Sequence, residues 1–366
     1  MSAVLALAVA LLCAAGEPPP SRAPLGARTQ GPLRELFLDV TAADARHTDS
    51  SELELRYSIA NTWNEPMSLA RGPSIASQEL DEQADSLTVR YRTPWSRFLG
   101  TQFAAFSTAI EGRFTVHWGG FTDRAIEAWH GLVGAFNYER LTFGRNEVHL
   151  GLADEGGTAF RLDGSTATVG DVVLRNQAAL FQGGEPLSTS ELHRYGVAAR
   201  IDLKLPAGPL SRAGGSGGFD AGIALLGTAE LTSWLTGHAL FSTSRFSRFS
   251  CGCTLQPNEW HWGFDASLAA SFGATTFLVE DRIVSALLQD GWSRVAWRGN
   301  DGILASGLYA GFRAHNQVTF AVRRGRFTFW LSEDATPGSN KPSSLQFLYM
   351  SNAPDVVLGL SFTQPL

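Results

Sequence analysis

Long runs in which apolar and polar residues alternate one by one recur along this chain, and they leave few folds open. In SELELRYSIANTW, Leu53, Leu55, Tyr57, Ile59 and Trp63 share one parity, while Glu52, Glu54, Arg56 and Ser58 share the other. SLTVRYRTPW repeats the pattern, with Leu87, Val89, Tyr91 and Trp95 against Thr88, Arg90 and Arg92. HRYGVAARIDLKL sets Val197, Ile201, Leu203 and Leu205 against Arg200, Asp202 and Lys204. Further along, Asp220, Glu230 and Asp265 hold the polar parity of similar runs. A period of two is the signature of a strand with two unlike faces.

About 12 candidate strands can be marked this way, several near the 9–11 residues with which a tilted strand crosses a bilayer. No stretch beyond the N-terminal leader reaches 18 consecutive apolar residues, so helical membrane spans are excluded. A soluble sandwich also alternates, but with its apolar side in a core. Three features favour a membrane barrel instead. The strands are long, the second parity is rich in Gly, Ser and charge, and aromatic residues gather near strand ends (Trp63, Trp95, Trp118, Trp234, Trp262 and Trp330). Such belts sit at headgroup level, where a ring is apolar and its polar edge stays wet. The expectation is an all-β antiparallel transmembrane β-barrel of about 12 strands with one short amphipathic helix insert.

The net charge of −6, without any basic block, argues against nucleic acid as a partner. Residues 1–16 read as a signal peptide, with an apolar core from Ala3 to Leu12 and small residues after it. Residues 17–45 read as an extended leader rich in Pro, Arg and Gly, and 46–366 as the barrel. Beyond Cys13, the cysteines are Cys251 and Cys253 in FSCGCTLQP. They could pair or stay apart, and the simpler reading is a loop.

The motifs GPLRELFLDVTAADA, LRYSIANTW, HWGGFTDRAIEAWHGLVG, FGRNEVHLGLAD, VGDVVLRNQAALF, LSEDATPGS and NAPDVVLGLSF occur in that order over most of the chain. In them the chain resembles a family of proteobacterial outer-membrane β-barrel-like proteins catalogued as a domain of unknown function (family 3187). The resemblance implies a barrel in the outer membrane and no known activity. Barrels of this kind usually end on an aromatic residue, whereas here Phe362 is followed by TQPL.

One segment, 119–136, has helical spacing instead. Phe121, Ala125, Trp129, Leu132 and Phe136 form a stripe, and Asp123, Glu127 and His130 lie opposite at i, i+4 and i+7. Two carboxylates and an imidazole suit a metal or an acid–base pair, but no second His stands at helical spacing. The segment therefore reads first as a structural insert near 121–136, its stripe docked on the barrel and its polar face towards water or the lumen. GGSGG around Ser216 spells a nucleophile elbow by letter only, because Gly and Pro, not a buried strand, precede it. No catalytic constellation or cofactor motif emerges. The expected protein is a non-enzymatic barrel in contact with outer-membrane lipid that passes or binds a small solute or acts as a scaffold. A secreted soluble β protein that binds a ligand, and an outer-membrane enzyme with a rim site, are the alternatives.

Overall fold

In the computed structural model, the residues described are 21–62, 67–71, 73–124, 127–128, 146–188, 192–289, 293–297, 303–308, 314–335 and 356–366. Their strands are β1 (Glu52–Thr62), β2 (Met67–Arg71), β3 (Ser74–Pro94), β4 (Phe106–Trp118), β5 (His149–Asp154), β6 (Gly157–Leu162), β7 (Thr166–Val169), β8 (Val172–Gly183) and β9 (Tyr195–Leu205). They continue with β10 (Asp220–Glu230), β11 (Leu235–Arg245), β12 (Trp260–Phe272), β13 (Thr275–Val284), β14 (Ser293–Trp297), β15 (Ile303–Leu308), β16 (His315–Arg324), β17 (Phe327–Asp334) and β18 (Val356–Pro365).

Twelve of these close a continuous antiparallel barrel. Each of β1, β3, β4, β8 to β13 and β16 to β18 pairs with the next. The circle is completed by β1 on β18, in register from Glu52 opposite Pro365 to Asn61 opposite Val356. Closure leaves no unpaired strand edge, which is what permits a sheet to lie in hydrocarbon.

The polarity is inverted relative to a soluble protein. Ile223, Leu225, Phe241, Leu268, Phe320 and Phe329 point outwards and are each at least half exposed. Arg56, Glu111, Arg175, Arg200, Asp202, Lys204, Asp265 and Arg282 point inwards and are buried. The alternation of the sequence thus places apolar residues towards lipid and charges towards the lumen. A transmembrane β-barrel requires this arrangement, because water is excluded on its outer side.

The two ends differ. One carries the short connections, 231–234, 273–274 and 325–326, together with the starts of β1 and the end of β18. Gly273 (φ +59°) and Gly325 (φ +56°) supply the positive φ that two-residue hairpins need at their first central position. Aromatic rings gather at this end. Trp95 stacks 5.3 Å from Phe106, Phe181 lies 5.6 Å from Tyr195, and Trp234 lies 5.7 Å from Phe272. The other end carries the long connections. There β3 continues past the barrel and joins β2, β5, β6, β14 and β15 in a smaller sheet.

Several expectations need correction. Trp330, placed among the belt residues by its position near a strand end, is buried inside the barrel. Its ring lies over the strand neighbour Gly359, where a Cβ would meet it at 1.9 Å. A residue with no side chain gives the ring room to turn inwards. In the predicted helix, Phe121 meets the barrel only by tilting against Trp118 at the end of β4 and stays 64% exposed instead of being buried there. Asp123, expected in water or the lumen as part of a solvated face, is buried. It accepts from the side-chain amide of Asn61 (3.0 Å) and the backbone N–H of Asn146 (2.9 Å), so it ties the segment to β1. Glu127 is half-buried, while Trp129, His130, Leu132 and Phe136 lie outside the described residues. Cys251 and Cys253 are joined as a disulfide in the loop between β11 and β12.

Candidate functional site

The lumen is occupied, and its occupant is the leader. Residues 21–51 form a hairpin that enters at the short-turn mouth, climbs to the long-loop end and returns to the mouth, where β1 begins. Its outward leg touches the wall at Arg22 (to Ser271 Oγ, 3.1 Å), at Leu25 to Ala27 (to Glu280) and at Arg28 (to Glu111, 2.7 Å). The apex is a single 3-10 turn, Arg34–Leu36. The return leg passes Asp220 at Leu38, Arg200 at Thr41, Thr228 at Ala45 and Gln182 at His47. An irregular, Pro- and Gly-containing segment carries no periodic pattern, so sequence reading gave it no place beyond an extended leader.

The apex is held by packing. Leu33, Leu36 and Phe37 are almost fully buried in a core shared with Leu80, Leu150, Leu152, Phe160, Leu210, Phe249, Leu287 and Leu288. Phe37 stacks on Phe246 at 4.9 Å and meets Phe249 at 5.3 Å. The long connections therefore fold into a cap over the barrel, and the apex forms its underside. Within the cap, Asp154 fixes the disulfide-bearing loop by accepting from Thr254 N (2.6 Å), Thr254 Oγ1 (2.8 Å) and Leu255 N (2.8 Å). Burial opposes the charge on Asp154, but these bonds and one from Gly156 N outweigh it and hold its carboxyl below the ordinary carboxylate range.

The two legs are held by charge and hydrogen bonds. Glu111 takes Arg28 of the hairpin and Arg90 and Arg175 of the wall. Asp202 takes Arg175 at 2.7 Å and Arg200 at 2.9 Å. Asp39 of the hairpin meets Arg282, which also reaches Asp265 at 3.1 Å. Near the mouth, Arg46 pairs with Asp44 at 2.6 Å and with Glu230 at 3.5 Å. Buried charges are tolerated when paired and hydrogen-bonded in this way, and removing one partner leaves the other uncompensated. The inward charges marked in the sequence (Arg56, Arg90, Arg200, Lys204, Glu54, Asp202, Asp220, Glu230 and Asp265) thus fall into several ion-pair clusters, each of which also touches the leader.

Lys204 bears on the only sequence motif with a catalytic spelling. Its Nζ donates to Ser216 Oγ at 2.8 Å, which brings a lysine and a serine together as an amine-activated nucleophile would require. The same Nζ, however, is paired with Asp171 at 2.6 Å and Asp220 at 3.3 Å, and Ser216 is fully buried with its N–H on the Leu36 carbonyl. Nζ also donates to the carbonyls of Leu36 (3.2 Å) and Gly218 (3.0 Å), so its contacts converge on the apex and the loop beside it. The contact secures the hairpin apex. Among the described residues, no group of three or more His, Cys, Asp and Glu side chains is arranged to hold a metal.

No family model matches the chain, and no curated protein matches it. Solved structures similar in outline include an outer membrane channel from Pseudomonas putida F1, 11% identical with a TM-score of 0.49, over 90% of this chain and 100% of that one. Another is a TodX deltaS2S3 mutant, a monoaromatic hydrocarbon channel, 10% identical with a TM-score of 0.36, over 93% of this chain and 100% of that one. A third is Salmonella typhi OmpF in complex with daunomycin, 10% identical with a TM-score of 0.29, over 88% of this chain and 98% of that one. The assignment of this chain as a transmembrane barrel stands on its own strand register and inverted polarity.

Proposed function

We propose that this chain is an outer-membrane channel for a small polar solute, held shut by its own N-terminal hairpin. The observation that carries the reading is a closed, lipid-facing barrel whose charged lumen is filled by a segment that enters and leaves through one mouth. Such a filling can be withdrawn without threading or breaking the chain. The short turns and both strand termini lie at that mouth, which matches the periplasmic side of an outer-membrane barrel, and the capped end then faces outwards. Once the legs part from the wall, Arg56, Glu111, Arg175, Glu280 and Arg282 lose partners and line a hydrated path. Fixed charges of both signs favour polar and ionic solutes over apolar ones there.

The soluble alternative does not accommodate the outward-facing Phe241, Phe320 and Phe329, which water would surround. Single-channel recording of the full chain in planar bilayers tests the proposal. Wild type should show rare openings, and Arg56→Gln combined with Glu280→Gln should raise their frequency at least tenfold. Absence of conductance in both, with correctly folded protein, would refute it.

A further inference from the structure

The outward leg of the hairpin is held in an unusual way. Between Ser21 and Arg28, every backbone carbonyl except that of Pro24 accepts a hydrogen bond from a wall side chain. Arg323 donates to Ser21 O (3.1 Å) and Ala23 O (2.9 Å), and His238 Nε2 donates to Arg22 O (2.8 Å). Arg56 donates to Leu25 O (2.8 Å) and Gly26 O (3.0 Å), Arg282 to Ala27 O (3.5 Å) and Gln317 to Arg28 O (3.3 Å). The Glu280 carboxylate accepts from three successive N–H groups, those of Leu25 (2.5 Å), Gly26 (3.0 Å) and Ala27 (3.0 Å). Gly26 makes that convergence possible by its φ of +63°. Pro24 has no N–H to satisfy.

The side chains of the leg are read far less. Leu25 and Ala27 rest on a small apolar floor of Ala269, Leu278, Ala321 and Trp330. Ser21, Arg22 and Arg28 reach wall side chains, those of Arg323, Ser271 and Glu111. The return leg is continuous with β1 and the apex is embedded in the cap core, whereas the outward leg is joined to no wall strand among the described residues. It can peel away while the rest of the hairpin stays.

We propose that this strip of lumen wall, centred on Glu280, Arg56, Arg323 and Gln317, is a binding site for the main chain of an extended polypeptide, and that such a polypeptide exchanges with the outward leg. Contacts made to carbonyl and N–H groups recognise any chain that can present them in this conformation. They ask only for a glycine over Glu280 and small or aliphatic residues over the apolar floor. This goes beyond passage of a small solute.

The test uses the full chain with Cys13→Ser and Ala27→Cys, reconstituted in phospholipid vesicles and treated with a membrane-impermeant maleimide. The labelling rate of the introduced thiol reads departure of the leg. Two synthetic peptides are supplied at millimolar concentration: residues 21–31, and a version that keeps Pro24, Leu25, Gly26, Ala27 and Gly31 but permutes the other side chains. Both should raise the labelling rate at least tenfold by occupying the vacated strip, and a hexose at the same concentration should not. Glu280→Gln should raise labelling without peptide and remove most of the peptide's effect. If that variant fails to fold, Gln317→Ala should show a smaller loss of the same kind. No response to either peptide, a response to the native order alone, or an equal response to the hexose would each overturn the proposal. A barrel that exchanges its leg yet never conducts would refute the channel reading and leave this one standing.

Discussion

Trp330 and Gly359 offer a stringent test of how the lumen is packed. They face each other across β17 and β18, and a Cβ on Gly359 would lie 1.9, 2.1 and 2.5 Å from three atoms of the indole. An aromatic ring fixed between wall and hairpin cannot yield by that much. Gly359→Ala must therefore expel the ring or strain the strand pair, a cost of about 1–3 kcal/mol for overpacking. Trp330→Ala loses a side chain that is 6% exposed and packs with Leu25 and Ala27, as well as the stack of Arg56 over its ring at 5.5 Å. Truncating a buried aromatic of this size costs about 3–5 kcal/mol. Once the ring is gone its three close contacts go with it, so the double variant should be no less stable than Trp330→Ala alone. The coupling should then equal the whole Gly359→Ala penalty, about 1–3 kcal/mol. Urea unfolding in detergent micelles, followed by the mobility difference between folded and boiled barrel on a gel, measures all three. Additive losses would show that the indole does not occupy the space above Gly359, and that the floor under the outward leg is drawn wrongly.

Other outcomes follow from the same structure. Ile223→Arg should destabilise the barrel by about 2–4 kcal/mol if the site lies at mid-membrane depth. Ser58→Arg on the inward parity should also be costly, because Ser58 is 3% exposed in a filled lumen; indifference at Ser58 in the same urea assay would mean the hairpin is not there. Asp154 has a folded-state pKa below its unfolded value, so its stabilisation is present above the unfolded pKa and is lost as pH falls through the folded one. Hydrogen exchange at Thr254 and Leu255 should accelerate beyond the intrinsic pH effect below about pH 4, and Asp154→Asn should remove that acceleration. Reducing the Cys251–Cys253 disulfide should loosen the cap loop, seen as faster exchange near Phe249, while leaving gel mobility of the barrel unchanged.

The sequence by itself determined the wall. Alternation along stretches such as Leu53 to Ser58 and Val197 to Lys204 is a local property, since successive strand residues point to opposite faces whatever surrounds them. The run lengths, the charged second parity and the lack of long apolar helices then left a membrane barrel as the consistent choice. The identity of the inward charges was legible for the same reason. What fills the space between them was not, because residues 21–51 have no period and their outward leg is held chiefly through main-chain atoms, which every sequence possesses. The direction of Trp330 depends on a glycine about thirty positions away that becomes its neighbour only when β17 pairs with β18. The burial of Asp123 likewise depends on Asn61, brought near by the pairing of β1 with β3 and β3 with β4, and on Asn146 in the connection that follows. A helical wheel can mark that aspartate as polar but cannot tell whether water or an amide meets it. Local spacing fixes which side of an element is apolar, whereas the partner of each polar group is chosen by contacts between residues distant in the chain, and those exist only in the folded barrel.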